Sequence, residues 1–340
     1  MSRFIQARVL LAAAALSCLS LTSDAPALQG APQSSAQNQP DQSVGTFKVD
    51  VNVVNLFFAV KDKKGMLVPN LTKDDFQVVE DGKPQTIRYF RSESNQPLTL
   101  GMLIDTSPSQ QRVLPEEQQA GSAFLRQVLG KNDLAFVISF DANIDLLQDL
   151  TASSAELGDA LRRTRIGGGG QAGLNPGPVP TARGGGGTHL YDAVFLASSD
   201  VLGKEVGRKA MILLTDGQDQ GSRLKIADAI EAAHKADAIC YVVLIADRAY
   251  YGGVGMGYSG DREMRKLSEE TGGRMIDVGN NEKKLKDAFD QIANELRSQY
   301  NIGYTPTNPA RDGSFRKVQV KSKEGYKVQA RAGYYAVAKP

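Results

Sequence analysis

From Leu98 onward the chain alternates between short apolar runs and longer stretches whose apolar residues recur every three or four positions. The runs are "LTLGMLI", "DLAFVISF", "KAMILLT", "ICYVVLIA" and "RMIDV". Several are nearly continuous, the pattern of parallel strands buried on both faces. The stretches between them have legible helix ends. "LPEEQQAGSAFLRQVLG" carries Pro115 near its start, Glu116 and Glu117 in its first turn, and Gly130 past its end. "SSAELGDALRR" opens with Ser153 and Glu156 at the spacing of a capping box. "THLYDAVFLASSDVLG", "SRLKIADAIEAAHKAD", "DREMRKLSEETGG" and "EKKLKDAFDQIANELRSQ" complete the helices. Alternation of this kind predicts an α/β domain over residues 98–298, a doubly wound and mostly parallel sheet with helices on both faces.

The flanks have a different period. Within residues 46–97, "TFKVDVNVVNLFFAVKD" and "FQVVEDGKPQTIRYF" alternate apolar and polar positions, with "KDKKG" and "EDGK" as turns. Residues 299–340 repeat the style in "YNIGYTP", "SFRKVQVKS" and "YKVQARAGYYA". Neither flank alone holds enough strands for a stable sheet pair. Together they predict one small antiparallel β-sandwich, into which the α/β domain is inserted. The glycine-rich "IGGGGQAGLNPGPVPTARGGGG", residues 166–187, cannot pack a core and reads as a loop running directly into Thr188.

Composition adds an address and removes some functions. A length of 340 residues suits two domains, and 41% hydrophobic residues are ample for buried cores. A formal net charge of +2 lacks the concentrated basic face that a nucleic-acid binder needs. "MSRFIQAR", then the apolar "VLLAAAALSCLSL" and small residues through Ala25 and Ala27, have the order of an export signal over residues 1–27. A polar linker, residues 28–45, follows it. The expected mature chain is therefore exported to the periplasm, the outer surface or the medium, and has no transmembrane span. Lipid attachment at Cys18 is a second option, although the "ALS" before it is a poor match for a lipoprotein signal. The other cysteine, Cys240, lies within an apolar run and is expected to pack in the core without a disulfide.

Candidate chemistry collects where strands should end. "LGMLIDTSPSQ" closes an apolar strand with Asp105, and Ser107 and Ser109 follow at alternate positions. "ILLTDGQD" ends another strand at Thr215 and places Asp216 directly after it. "GGGGTHLYDA" sets Thr188 at the start of a helix. In open α/β sheets ligands bind outside the carboxyl ends of the strands, where strand order reverses. Two carboxylates and three hydroxyls are hard oxygen ligands, which suit Mg²⁺ or Mn²⁺ and not zinc or copper. The alternative is that Ser107 and Ser109 cap the following helix.

The set Asp105, Ser107, Ser109, Thr188 and Asp216, in that order, resembles the metal-ion-dependent adhesion site of von Willebrand factor type A (VWA) domains. "GGTHLYDAV" and "LLTDGQD" are similar to that family as well, and "DFQVVEDGKPQTI" and "RAGYYA" resemble a bacterial branch of exported VWA-related proteins. The resemblance implies that Asp105, Ser107 and Ser109 ligate the ion directly or through water. Asp216 would be the second carboxylate, and Thr188 would join when ligand binds. It implies a protein partner presenting an Asp or Glu carboxylate, and a binding or adhesion module in preference to an enzyme. Pro108 and the long insertion before Thr188 depart from the usual pattern. A metal-dependent hydrolase and a structural module whose metal only rigidifies the fold remain as alternatives. No general base is evident near the five residues.

Weaker signals have plainer readings. "GVGMGYSG" has dinucleotide-loop spacing, with Asp277 downstream, but lies too far from the preceding strand for the tight turn that motif needs. Tyr250, Tyr251 and Tyr258 read as a loop packed on itself, or as a binding rim. His189 reads as an exposed helix-start residue, or one that lines the site beside Thr188; His234 reads as part of a solvated helix face, and Asp219 as an exposed loop residue or a carboxylate supporting the site from outside its ligands.

Overall fold

The computed structural model describes residues 53–93, 96–167, 187–246 and 260–336. The expected signal peptide, the linker and Cys18 lie outside the described residues. So do most of the 166–187 stretch, most of "GVGMGYSG", and Tyr250, Tyr251 and Tyr258. The first flank forms β1 (Val54–Lys61), β2 (Phe76–Glu80), β3 (Lys83–Gln85) and β4 (Ile87–Glu93). The middle contains β5 (Leu98–Asp105), α1 (Leu114–Val128), β6 (Leu134–Phe140), β7 (Ile144–Thr151) and α2 (Ser154–Arg163). It continues through α3 (Leu190–Leu196), β8 (Arg208–Thr215), α4 (Ile226–Lys235), β9 (Ala238–Leu244), α5 (Gly260–Glu270), β10 (Met275–Asp277) and α6 (Glu282–Arg297). The second flank adds β11 (Gln299–Tyr304), β12 (Phe315–Ser322), β13 (Lys327–Ala330) and β14 (Gly333–Tyr335).

The middle segment is a doubly wound sheet of order β10-β9-β8-β5-β6-β7, parallel except for β7. Every residue of β5 is buried, which accounts for its unbroken apolar run. Leu100, Met102 and Ile104 point into a core shared with α1, α2 and α6. On the opposite face Leu103, Phe136, Ile138 and Phe140 pack with α3, α4 and α5. Cys240 is buried in β9 in that second core, and burial pushes its thiol up to about 12. From β5 the chain winds first to β6 and later back to β8 on β5's other side. The carboxyl ends of β5 and β8 therefore flank the switch point.

Three local expectations need correction. The edge strand β7 is absent from the sequence reading, because "IDLLQDLT" alternates unevenly and its pairing with β6 is interrupted by register shifts. The helix expected over 188–203 is regular only over Leu190–Leu196, then widens into a π turn and tightens into a 3₁₀ turn; Ala197 and Leu202 both stay buried. The capping box at α2 is half formed. Ser153 accepts from the Glu156 N–H, but the Glu156 carboxylate takes the Thr151 hydroxyl instead.

The two flanks interleave. One sheet runs β13-β1-β11-β4 and the other β14-β12-β2-β3, so each draws strands from both ends of the sequence. Asp81 and Gly82, both with positive φ, make the tight β2–β3 turn that "EDGK" predicts. Leu56, Phe58, Val60, Val78, Tyr300, Ile302 and Val318 fill the space between the sheets. Phe58 meets Phe76 edge-on at 5.1 Å, and Phe90 stacks on Tyr300 at 5.6 Å.

The chain enters the α/β body at the amino end of β5 and leaves it at the carboxyl end of α6. Arg208 ties entry to exit, donating to the Gln96 carbonyl at 3.0 and 2.8 Å and to the Leu296 carbonyl at 2.5 Å. Glu295, nearly without exposed surface, binds Lys61 of β1 at 2.8 Å and Arg274 at 2.5 Å, and accepts from Gln329 of β13 at 3.3 Å. Burial lowers the Lys61 pKa despite this partner, so the pair is largely desolvated. Nearby, Arg331 pairs with Asp237 and the Ala332 N–H donates to the Glu270 carbonyl at 2.8 Å. His234 belongs to this seam and not to a solvated face. It is 3% exposed, its Nε2 lies 2.9 Å from the Glu270 carbonyl, and its ring packs on Phe315 at 5.3 Å. Strands more than 80 residues downstream cover that side of α4, which no local pattern reveals. The sandwich is thus fastened at the amino-end pole of the sheet, and the carboxyl-end pole is left to the candidate site.

Removing one member of the Glu295 cluster should be worse than never having had it. Glu295→Ala leaves Lys61 and Arg274 without this partner and should lower unfolding stability by about 3–5 kcal/mol in urea titrations. A loss within about 0.5 kcal/mol, the ordinary range for surface changes, would show that the seam does not depend on it.

Candidate metal centre

β5 ends in a carboxylate that has no contact with solvent. Asp105 is 0% exposed, its Oδ1 accepts the Ser107 N–H at 2.9 Å, and its Oδ2 accepts the Thr215 hydroxyl at 2.6 Å. The first bond is an Asx turn, which bends the chain off the strand end. The second crosses from β8, so Thr215 joins the two strands that flank the switch point. Each carboxylate oxygen keeps a further lone pair.

Beyond the turn, Ser107 and Ser109 face one another with their Oγ atoms 2.9 Å apart. Neither caps a helix. Ser107 precedes a short 3₁₀ turn, Pro108–Gln110, without a side-chain cap bond, and α1 begins only after Val113. The capping alternative for these serines therefore fails. Pro108 is exposed at the first position of that turn, where its fixed φ fits.

Asp216, 1% exposed, stands one residue beyond β8 and accepts the Gln218 N–H at 3.0 Å. Burial, and after it the nearby Asp216, push the Asp105 acid up to about 7, while its bonds from Ser107 and Thr215 pull the other way. The loop after Asp216 depends on glycine. Gly217 has φ +81°, and a β-carbon on Gly260, the first residue of α5, would stand 2.7 Å from the Asp216 carbonyl.

Thr188, 5% exposed, is brought in through its backbone. Its N–H donates to the Gln220 carbonyl at 2.8 Å and its carbonyl accepts from the Gln220 N–H at 2.9 Å, four residues past Asp216. Asp219 strengthens the link and is not a free loop residue. Its Oδ1 accepts the Leu190 and Tyr191 N–H groups at the start of α3, at 3.1 and 3.4 Å. Asp192 reciprocates by accepting the N–H groups of Arg223 and Leu224. The helix entry and the Asp216 loop are thus laced together. His189 is half-buried at the N-cap of α3, its N–H donating to the Asp141 carbonyl. No hydrogen bond joins the Thr188 hydroxyl to the other four residues among the described residues.

Sequence reasoning missed four nearby groups. Thr215 was read only as a strand end. Asp141, 6% exposed at the end of β6, accepts from Asn143 and lies 3.4 Å from the Thr106 hydroxyl. Gln110 and Glu117 are both fully buried. Glu117 alone left a readable signal: it occupies the buried stripe of α1 between Leu114 and Gly121, where the helical period calls for an apolar residue. Asp277 is exposed at the end of β10, where its Oδ1 accepts the Gly279 N–H at 3.1 Å.

The donor set tests well against a hard divalent cation. It is all oxygen, with two buried carboxylates that push against each other and two hydroxyls turned to the same side. Among the described residues no three side chains of His, Cys, Asp or Glu gather closely enough to hold an ion by themselves.

No family model and no curated protein matches the sequence. Among solved structures, the chain is similar to a von Willebrand factor type A protein from Catenulispora acidiphila, with 13% identity, 84% of this chain and 74% of that one covered, and a TM-score of 0.47. It is similar to the vWF domain of the type V pili tip protein Mfa5 from Porphyromonas gingivalis, with 14% identity, 59% and 95% covered, and a TM-score of 0.44. Proximal thread matrix protein 1 from the mussel byssus matches at 16% identity and a TM-score of 0.45; this chain covers 51% of its length, and 69% of this chain is matched. The fold stands on the strand order itself, a VWA/Rossmann-like α/β sheet with added antiparallel sheets.

The electrostatics give a signed expectation for the metal-free protein. Folding raises the Asp105 pKa from 3.8 to about 7, so between those values the folded state holds a proton that the unfolded state has lost. Its contribution to stability should therefore fall as pH rises from about 4 to about 7. In EDTA, the Tm of wild type minus that of Asp105→Asn should drop by several degrees across that window. Saturating Mg²⁺ should remove the drop. A flat difference in EDTA would show that Asp105 does not carry this charge.

Proposed function

We propose that this chain is an exported recognition module that binds Mg²⁺ or Mn²⁺ through Asp105, Ser107, Ser109, Thr188 and Asp216. It would engage a protein or cell-surface partner through an Asp or Glu carboxylate of that partner. The observation that supports this most is the pairing of the Ser107 and Ser109 hydroxyls beside the buried Asp105 carboxylate, with neither serine used as a helix cap. When bound, the cation would offer an open coordination position to a charged oxygen. Asp105 and Asp216 would balance its charge, and the neutral hydroxyls would fill the shell without quenching it further. Export rests on the N-terminal sequence alone. Among the described residues no helix is long and apolar enough to cross a membrane.

The hydrolase alternative needs a base that reaches a substrate. Glu117 is the candidate base, and its complete burial holds it away from one. A purely structural metal is separable by linkage: if ligand and metal share the site, each tightens the other by the same factor.

Asp105→Ala should abolish Mg²⁺ and Mn²⁺ binding in calorimetry; unchanged binding would remove the five-residue assignment. A partner captured from cell-envelope extract should dissociate in EDTA and return with either ion, and one acid-to-alanine change at its interface should prevent capture. Thr188→Ala should weaken partner binding roughly fivefold or more, the worth of one lost polar contact. Metal affinity should change less. A complex that survives chelation would show that the cation is not the recognition element.

A further inference from the structure

The first turns of α1 break the rule that the rest of the helix obeys. Leu114, Gly121, Phe124, Leu125 and Val128 face the core with Glu117 among them, 0% exposed. Neither Glu117 carboxyl oxygen meets a hydrogen-bond donor among the described residues. Gln110 repeats the anomaly from the serine turn. It is also 0% exposed; its Nε2 donates to the Ile245 carbonyl at 3.4 Å, and its Oε1 meets no donor among the described residues. A buried carboxyl group without donors destabilises a fold, and leucine at 117 would avoid the cost. Glu117 shares the buried stripe of α1 with Leu114, which packs in one core with Ile104, the residue before Asp105. Gln110 is the residue after Ser109, and Asp105 and Asp216 are, after burial, the leading influences that push the Glu117 pKa well above its ordinary value.

We propose that Glu117, with the Oε1 of Gln110, is a positioning element of the cation site that accepts hydrogen bonds from cation-bound water on the buried side. This rests on the metal reading above. Glu117 is not itself a ligand, since no three acidic, His or Cys side chains among the described residues lie close enough to hold one ion. It stands within electrostatic reach of both aspartates, and its free lone pairs match what a cation's water presents, two polarised O–H donors. Partners that orient a metal's ligands from outside its coordination shell typically shift affinity about 10–100-fold when removed.

The test measures Mn²⁺ binding by water-proton relaxation, beside the Tm in EDTA. Glu117→Gln, which keeps one acceptor oxygen and replaces the other with a donor amide, should weaken Mn²⁺ binding about tenfold. Glu117→Leu should weaken it about 100-fold and raise the EDTA Tm, because the orphaned carboxyl is gone. Unchanged Mn²⁺ affinity in either variant, with Asp105→Ala still abolishing binding, would overturn the role of Glu117 and leave the five-residue site standing. If Glu117→Leu does not fold, the Glu117→Gln titration decides alone. Wild-type binding that survives Asp105→Ala, or no wild-type binding at all, would instead overturn the metal reading on which this inference depends.

Discussion

Asp105 is held without solvent at the junction of two apolar cores, and its two oxygens are satisfied by one backbone N–H and one hydroxyl from the neighbouring strand. That pair of bonds joins β5 to β8 where the winding reverses, and it fixes the turn that carries Ser107 and Ser109. Leaving a carboxylate there opposes folding, and Asp216 close by increases the opposition. The apolar layers on both faces of the sheet outweigh it. The carboxyl pole therefore holds two buried carboxylates whose like charge opposes folding.

The opposite pole is organised differently. There the charges are matched: Glu295 with Lys61 and Arg274 inside the seam, and Arg331 with the exposed Asp237 at its edge. The contrast separates the two ends by chemistry. A matched cluster in a dry seam gives geometry and little net stability, whereas two like charges held close together oppose folding. Because chain entry and exit both lie at the matched pole, the sandwich can be fastened firmly without crowding the site. His234 is neutral in that seam, its pKa lowered to about 4 by burial and by Arg331, so its packing against Phe315 carries no charge at neutral pH.

Much of this was legible in the sequence, for definite reasons. Buried parallel strands must be apolar throughout, so β5, β6, β8 and β9 announced themselves; β7, half-exposed and irregularly paired, did not. Asp105 and Asp216 were visible because each follows directly on an apolar run, and the two serines because their alternate spacing is unusual at a strand end. Asp219 and Asp141 were not distinguishable from surface acids, since their partners come from other segments.

The sequence by itself determined the elements, the fold class and the oxygen-donor residues, because these follow from period, polarity and position relative to the strand ends. Tertiary structure decided which of those groups meet and which are left without partners. Strand order put Asp105 beside Thr215, and a backbone bridge tied Thr188 to the loop after Asp216. The face that α1 turns to the sheet put Glu117 among leucines, with no donor in reach among the described residues. Burial and pairing depend on segments far apart in the chain, and no local pattern of side chains encodes them.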